Sequence, residues 1–167
     1  MRKPSPPARS IRNSPRGFTA VELVIVIAIV AVAAALALPD LSNLLVNQRL
    51  RSAGTDLMSS LIVARSEAIK RNGPVEVRPA SGADWTQGWV VKATASNEQL
   101  DKKNPLGPSV DVSFAPASIV YQHNGRLTSA APNKVQFKDS RTGSTLSPRC
   151  LVIDPSGLPK LTVGACA

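Results

Sequence analysis

The run Phe18–Leu38, FTAVELVIVIAIVAVAAALAL, constrains this chain more than any other feature, because it carries a single formal charge, Glu22. As a helix rising about 1.5 Å per residue it reaches roughly 31 Å, close to the hydrocarbon thickness of a bilayer. The stretch before it, residues 1–17, holds Arg2, Lys3, Arg9, Arg12 and Arg16 and no acid. Much of the net charge of +9 therefore sits in a leader. A basic flank beside an apolar span is first a topological signal, which keeps that flank in the cytoplasm and sends the rest across. Pro4, Pro6, Pro7 and Pro15 predict that the leader has no regular structure.

A carboxylate near the mouth of an apolar span is costly unless something neutralises it. Glu22 thus needs a partner cation, either within its own chain or in an assembly. An ordinary secretory signal, cut at Ala31-Val32-Ala33 or Ala33-Ala34-Ala35, is the competing reading. Against it, the helical pattern continues through Pro39, which is expected to kink the helix rather than end it.

Beyond Pro39, Leu41, Leu44 and Leu45 extend an apolar stripe, and Leu50, Ala53, Leu57, Leu61, Ala64 and Ala68 recur at steps of three and four. This spacing predicts one face of an amphipathic helix. Arg49, Arg51, Asp56, Arg65, Glu67 and Lys70 fall mostly off the stripe, and Asn72-Gly73-Pro74 gives the stop. The pattern then changes to short strand candidates: 75–78, 88–94, 110–114, 118–122, 134–138, 150–154 and 160–163. Asn124-Gly125 reads as a hairpin turn. The expected organisation is a basic leader over 1–17, a transmembrane helix half over 18–39, an amphipathic soluble half over 40–73 and a β-rich head over 74–167. The fold class is α+β, with a long helix laid on an antiparallel sheet.

Cys150 and Cys166 are the only cysteines. Two late cysteines beyond a membrane segment favour one disulfide in an oxidising compartment, and two buried free thiols are the alternative. His123 is the lone histidine and lies beside the Asn124-Gly125 turn. No GxSxG elbow, GxxxxGK loop or HExxH zinc signature occurs. No enzyme activity, metal or cofactor is expected. Among the aromatics, Trp85, Trp89, Tyr121, Phe114 and Phe137, most are expected in the core.

The sequence Gly17-Phe18-Thr19-Ala20-Val21-Glu22, with its basic leader and Pro39, resembles the processing site of type IV prepilins and type II secretion pseudopilins. The resemblance implies that a prepilin peptidase cuts after Gly17, that Phe18 becomes the N-methylated terminus, and that Glu22 is the assembly glutamate. Such a cut creates an α-ammonium about one turn from Glu22, and that of a neighbouring subunit offers the same cation.

The head resembles the FimT and GspH group of minor pilins and pseudopilins. The carrying residues are Ala64-Arg65-Ser66-Glu67-Ala68, Gly88-Trp89-Val90-Val91, Asn124-Gly125-Arg126, Cys150-Leu151-Val152-Ile153, Pro155-Ser156-Gly157 and Cys166. The resemblance implies a low-abundance subunit near a filament tip that helps to initiate or cap assembly with other minor and major pilins. It also implies an inner-membrane anchor and a periplasmic head. Some FimT proteins bind DNA through a Gly-Arg-x-Arg/Lys loop. Here the matching stretch is Gly157-Leu158-Pro159-Lys160, in which leucine replaces the first arginine. Arg149, Lys160, Arg141 and Lys138 are the candidate DNA-binding cations. The rival readings are a tip DNA receptor, a GspH-like pseudopilin of type II secretion, and a membrane-tethered periplasmic binding protein with no filament role.

Overall fold

The computed structural model describes residues 18–129 and 133–167, without the side chains of residues 36–40. The expected leader, including Gly17, and the side chain of Pro39 therefore lie outside the described residues. Among the described residues there are one helix, α1 (Ala20–Lys70), and eight strands. The strands are β1 (Val75–Ser81), β2 (Asp84–Ala93), β3 (Gln99–Lys103), β4 (Val110–Ser113), β5 (Ile119–Tyr121), β6 (Asn133–Asp139), β7 (Arg149–Ile153) and β8 (Pro159–Val163). The chain divides into two units, the first ending at Pro39 and the second running Asp40–Ala167.

In the first unit, Thr19 caps the start of α1. Its hydroxyl accepts the Glu22 backbone N–H at 3.2 Å, and its carbonyl accepts the Leu23 N–H at 3.2 Å. The side chains of residues 18–35 are exposed throughout, Phe18 by 81%. Among the described residues no helix is long and apolar enough to cross a membrane.

In the second unit the buried face of α1 starts at Val46 and continues through Leu50, Ala53, Leu57, Ser60, Leu61, Ala64 and Ala68. The three- and four-residue spacing of the stripe is what puts these side chains on one face. Leu41, Leu44 and Leu45 are exposed instead. The helix ends in a Schellman turn: Gly73 N–H reaches Ala68 C=O at 3.1 Å, Asn72 N–H reaches Ile69 C=O at 3.2 Å, and Asn72 takes the left-handed conformation (φ 48°).

The strands form two antiparallel sheets, β3-β2-β1-β5 and β4-β6-β7-β8, where the sequence suggested one. The core between helix and sheets includes Val75, Val77, Trp89, Val91, Ile119, Tyr121, Val135, Phe137, Leu151 and Ile153. Strand β3 escapes a hydrophobic-pattern reading because its sequence is Gln-Leu-Asp-Lys-Lys. It is held as an edge by backbone pairing to β2 (Val91↔Asp101, Val90↔Lys102, Trp89↔Lys103). Polar contacts tie its inner side to α1. Ser60 donates to Asp101 Oδ2 at 3.0 Å and accepts the Trp89 indole N–H at 3.0 Å, and Lys103 pairs with Asp56 at 2.5 Å. Of the aromatics expected inside, Phe114 is the exception. It turns left-handed (φ 57°) at the end of β4, a rare conformation for an aromatic residue, and is 69% exposed.

Candidate functional site

Two regions carry the candidate residues. The first is the start of α1. Glu22 sits in the first helical turn and is exposed, and among the described residues its carboxylate has no ion-pair partner. Thr19-Ala20-Val21-Glu22 has the spacing of a capping box, and an acid in the first turn is favoured by the helix dipole. The Thr-x-x-Glu spacing is thus a local reason for a glutamate here, separate from any role in assembly. It accounts for a carboxylate at the helix start, but it supplies no counter-cation.

The second region is the β4-β6-β7-β8 sheet with its two turns. The turn after β7 is built by Asp154, whose Oδ1 accepts the Ser156 N–H at 2.7 Å and also the Ser156 hydroxyl. These bonds, the hydroxyl foremost, hold the Asp154 carboxyl below its ordinary range. Gly157 follows with φ 86°, and a Cβ there would collide with the Gly125 carbonyl. The Tyr121 hydroxyl, buried beneath, donates to the Gly157 carbonyl at 3.2 Å, and burial pushes its phenol pKa up. The Gly157 of the expected Gly-x-x-Lys loop is therefore fixed by packing between two turns, whatever else the loop does.

The four candidate cations are held in different ways. Lys138 pairs with Asp111 across β4 and β6 at 3.3 Å. Arg141 is locked: its guanidinium donates to Asp139 at 2.7 Å, to Asn43 at 2.9 Å and to Ser42 at 3.3 Å. The Arg141 guanidinium, with Ser144 assisting, holds the buried Asp139 carboxyl at about 2 against the opposing effect of burial. Arg149 donates from Nη2 to Asn47 at 2.8 Å, while its Nε is buried and has no hydrogen-bond partner among the described residues. Lys160 is exposed on β8, opposite Val152, which is opposite Lys134 on β6. Lys138 stands four residues further along β6, roughly 13 Å away at about 3.3 Å per residue.

Arg149 and Lys160 line a common groove, of about 610 Å³, and Arg51 joins them there. Cys150 and Cys166 form a disulfide. It lays the chain after β8 over the outer face of β6 and β7. There the Cys166 N–H donates to Gln136 Oε1 at 2.7 Å and the Lys134 ammonium reaches the Ala167 carbonyl. His123 is exposed in the turn after β5, where the Gly125 N–H donates to Gln122 C=O at 2.8 Å.

A family model described as "Type II transport protein GspH" matches residues 53–157, more than half of the chain. No curated protein matches in sequence. Among solved structures, the type IV minor pilin FimU of Pseudomonas aeruginosa is similar in one crystal form with a TM-score of 0.56 and 23% identity, over 67% of this chain and 91% of FimU. In a second crystal form the TM-score is 0.57 at 22% identity, over 71% and 90%. The minor pseudopilin EpsH of the type II secretion system of Vibrio cholerae is similar with a TM-score of 0.52 and 15% identity, over 69% of this chain and 97% of EpsH. At these identities the likeness speaks for the fold: a helix packed on antiparallel sheets, as in pilins.

Proposed function

Because the chain belongs to the GspH family of type II transport proteins, we propose that it is a minor type IV pilin, matured by a prepilin peptidase, that takes part in initiating or capping filament assembly. Members of this family of pilins and pseudopilins are structural subunits of membrane-associated filaments and not enzymes. In the proposed cycle residues 18–39 hold the precursor in the inner membrane with the head in the periplasm. Cleavage after Gly17 frees the Phe18 amine, which is then methylated. Glu22 pairs with that amine, or with the amine of the neighbouring subunit already in place, and sets the axial register as the helix leaves the lipid.

One observation carries the reading: over residues 18–35 the chain is apolar and exposed throughout, and its single carboxylate there, Glu22, has no counter-cation among the described residues. Such a surface needs an apolar surrounding, and the carboxylate needs a cation within it. The decisive test is mass spectrometry of the protein recovered from cells. A mature chain beginning at a methylated Phe18 is expected, and any other terminus overturns the reading. In a second arm, Glu22→Ala is expected to insert normally and to be missing from sheared filaments.

The family description favours one further reading, a pseudopilin of type II secretion. A deletion strain separates the two. Loss of surface pili with intact exoprotein release marks a pilus subunit, and the converse marks a pseudopilin.

A further inference from the structure

The groove that joins Arg51, Arg149 and Lys160 runs along a free sheet edge. Strand β8 is the last in the order β4-β6-β7-β8, and nothing among the described residues pairs beyond it. Its register on β7 decides which groups remain open. Gly164 N–H bonds to Pro148 C=O, and Asp154 N–H to Leu158 C=O, so the hydrogen-bonded pairs include Cys150/Thr162 and Val152/Lys160. The alternation of an antiparallel ladder then turns the N–H and C=O of Leu161 and Val163 outward.

The first part of the edge is guarded, since Pro159 has no N–H to offer and Lys160 places a charge beside it. The second part is unguarded, and Val163 is 66% exposed. Facing it across the groove are Arg51, Thr55 and Met58 of α1, which share one helix face at spacings of four and three. The lining carries three cations and no acid. Arg51 and Lys160 have no ion-pair partner among the described residues, and Arg149 keeps an orphaned Nε.

We propose that this groove receives an extended, carboxylate-bearing peptide segment of a partner protein, added as a fifth strand on the open edge of β8. Main-chain bonds to Leu161 and Val163 supply the pairing, and alternate side chains of the guest turn toward α1. There an apolar residue covers Met58 and an acid meets Arg51 and Arg149. The volume of about 610 Å³ lies within the usual range for a ligand cleft. Charge complementarity selects an acidic strand over a basic one. The groove lies wholly within the unit Asp40–Ala167, so the inference is independent of cleavage at Gly17 and of Glu22.

The test uses the full chain in detergent and two fluorescein-labelled decapeptides of alternating valine and threonine, one with two central glutamates and one with two lysines. The glutamate peptide is expected to bind at least about tenfold more tightly, and Arg51→Glu to abolish that preference. Val163→Pro removes an outward N–H and none of the bonds to β7, and is expected to weaken binding by at least about fivefold. Amide exchange at Leu161 and Val163 should slow on binding, while Thr162, already bonded to β7, stays unchanged. Equal affinity for both peptides, binding of neither, or unchanged exchange at Leu161 and Val163 overturns the proposal. So does a duplex of about 20 base pairs that binds through Arg51 where the glutamate peptide does not, because the groove is then a phosphate site.

Discussion

Leu161 lies over Gly54 so closely that a methyl group built on the glycine would stand 2.8 Å from its Cδ1. The absence of a side chain on α1 thus brings β8 down onto the helix. A glycine inside a helix costs about 1 kcal/mol relative to alanine, so the close approach is obtained against helix propensity. Gly54→Ala should destabilise the protein by about 1 kcal/mol, since crowding costs about 1–3 kcal/mol and outweighs the propensity gain. In a Leu161→Ala background the same substitution should stabilise by about 1 kcal/mol. Urea unfolding of the four proteins in this cycle checks the coupling, and additive effects would refute the contact.

The Ser60 hydroxyl stands between the Trp89 indole and the Asp101 carboxylate, accepting from one and donating to the other at 3.0 Å each. Trp89 is fully buried and Ser60 nearly so. Ser60→Ala leaves an indole N–H and a carboxylate oxygen without their partner and should cost about 2–3 kcal/mol. Ser60→Thr keeps the hydroxyl and should recover part of that loss. Denaturant midpoints of the two variants decide it.

These two contacts mark how far the sequence carried. The stripe from Leu50 to Ala68 was legible because a helix repeats its buried face every three or four residues whatever it packs on. The turn at Asn124-Gly125 was legible because its conformation is local. Strand β3 was not, because Asp101 and Lys103 face partners on α1, Ser60 and Asp56, more than forty positions away. The split into two sheets was hidden for the same reason: β1 pairs with β5, and β4 with β6. Among the cations, Arg141 reads as free until Asp139, two residues earlier, is seen to fold back on it. At the head of α1 the reverse holds, since Thr19 and Glu22 are local partners whose cap was readable from spacing alone.

The Asp139–Arg141 pair makes stability depend on acid. The folded carboxyl titrates at about 2, below its ordinary range, so the unfolded chain takes up the proton first as pH falls. The contribution is full above about pH 4 and drains as pH falls toward 2 and through it. Asp139→Asn should therefore be less stable than the parent at pH 7, with the gap closing between about pH 4 and pH 2. Urea midpoints measured across that range check the prediction, and a gap that stays constant would show that the pair does not titrate as described.

The disulfide between Cys150 and Cys166 closes a loop of sequence separation 16. On the chain-entropy account a loop of this size is worth about 3 kcal/mol, because the cross-link removes freedom from the unfolded chain. It also holds the Cys166 N–H on Gln136, whose amide in turn donates to Ser113 at 3.0 Å, so the bond ties the last residues to β6 and β4. Replacing both cysteines by serine should lower the melting temperature by roughly 10 °C. Reductant should lower the parent by a similar amount and leave the variant unmoved. Amide exchange should quicken at residues 164–167 and remain slow in β7, whose bonds to β6 do not depend on the cross-link. A parent protein whose melting is indifferent to reductant would contradict the stabilising role assigned to this bond.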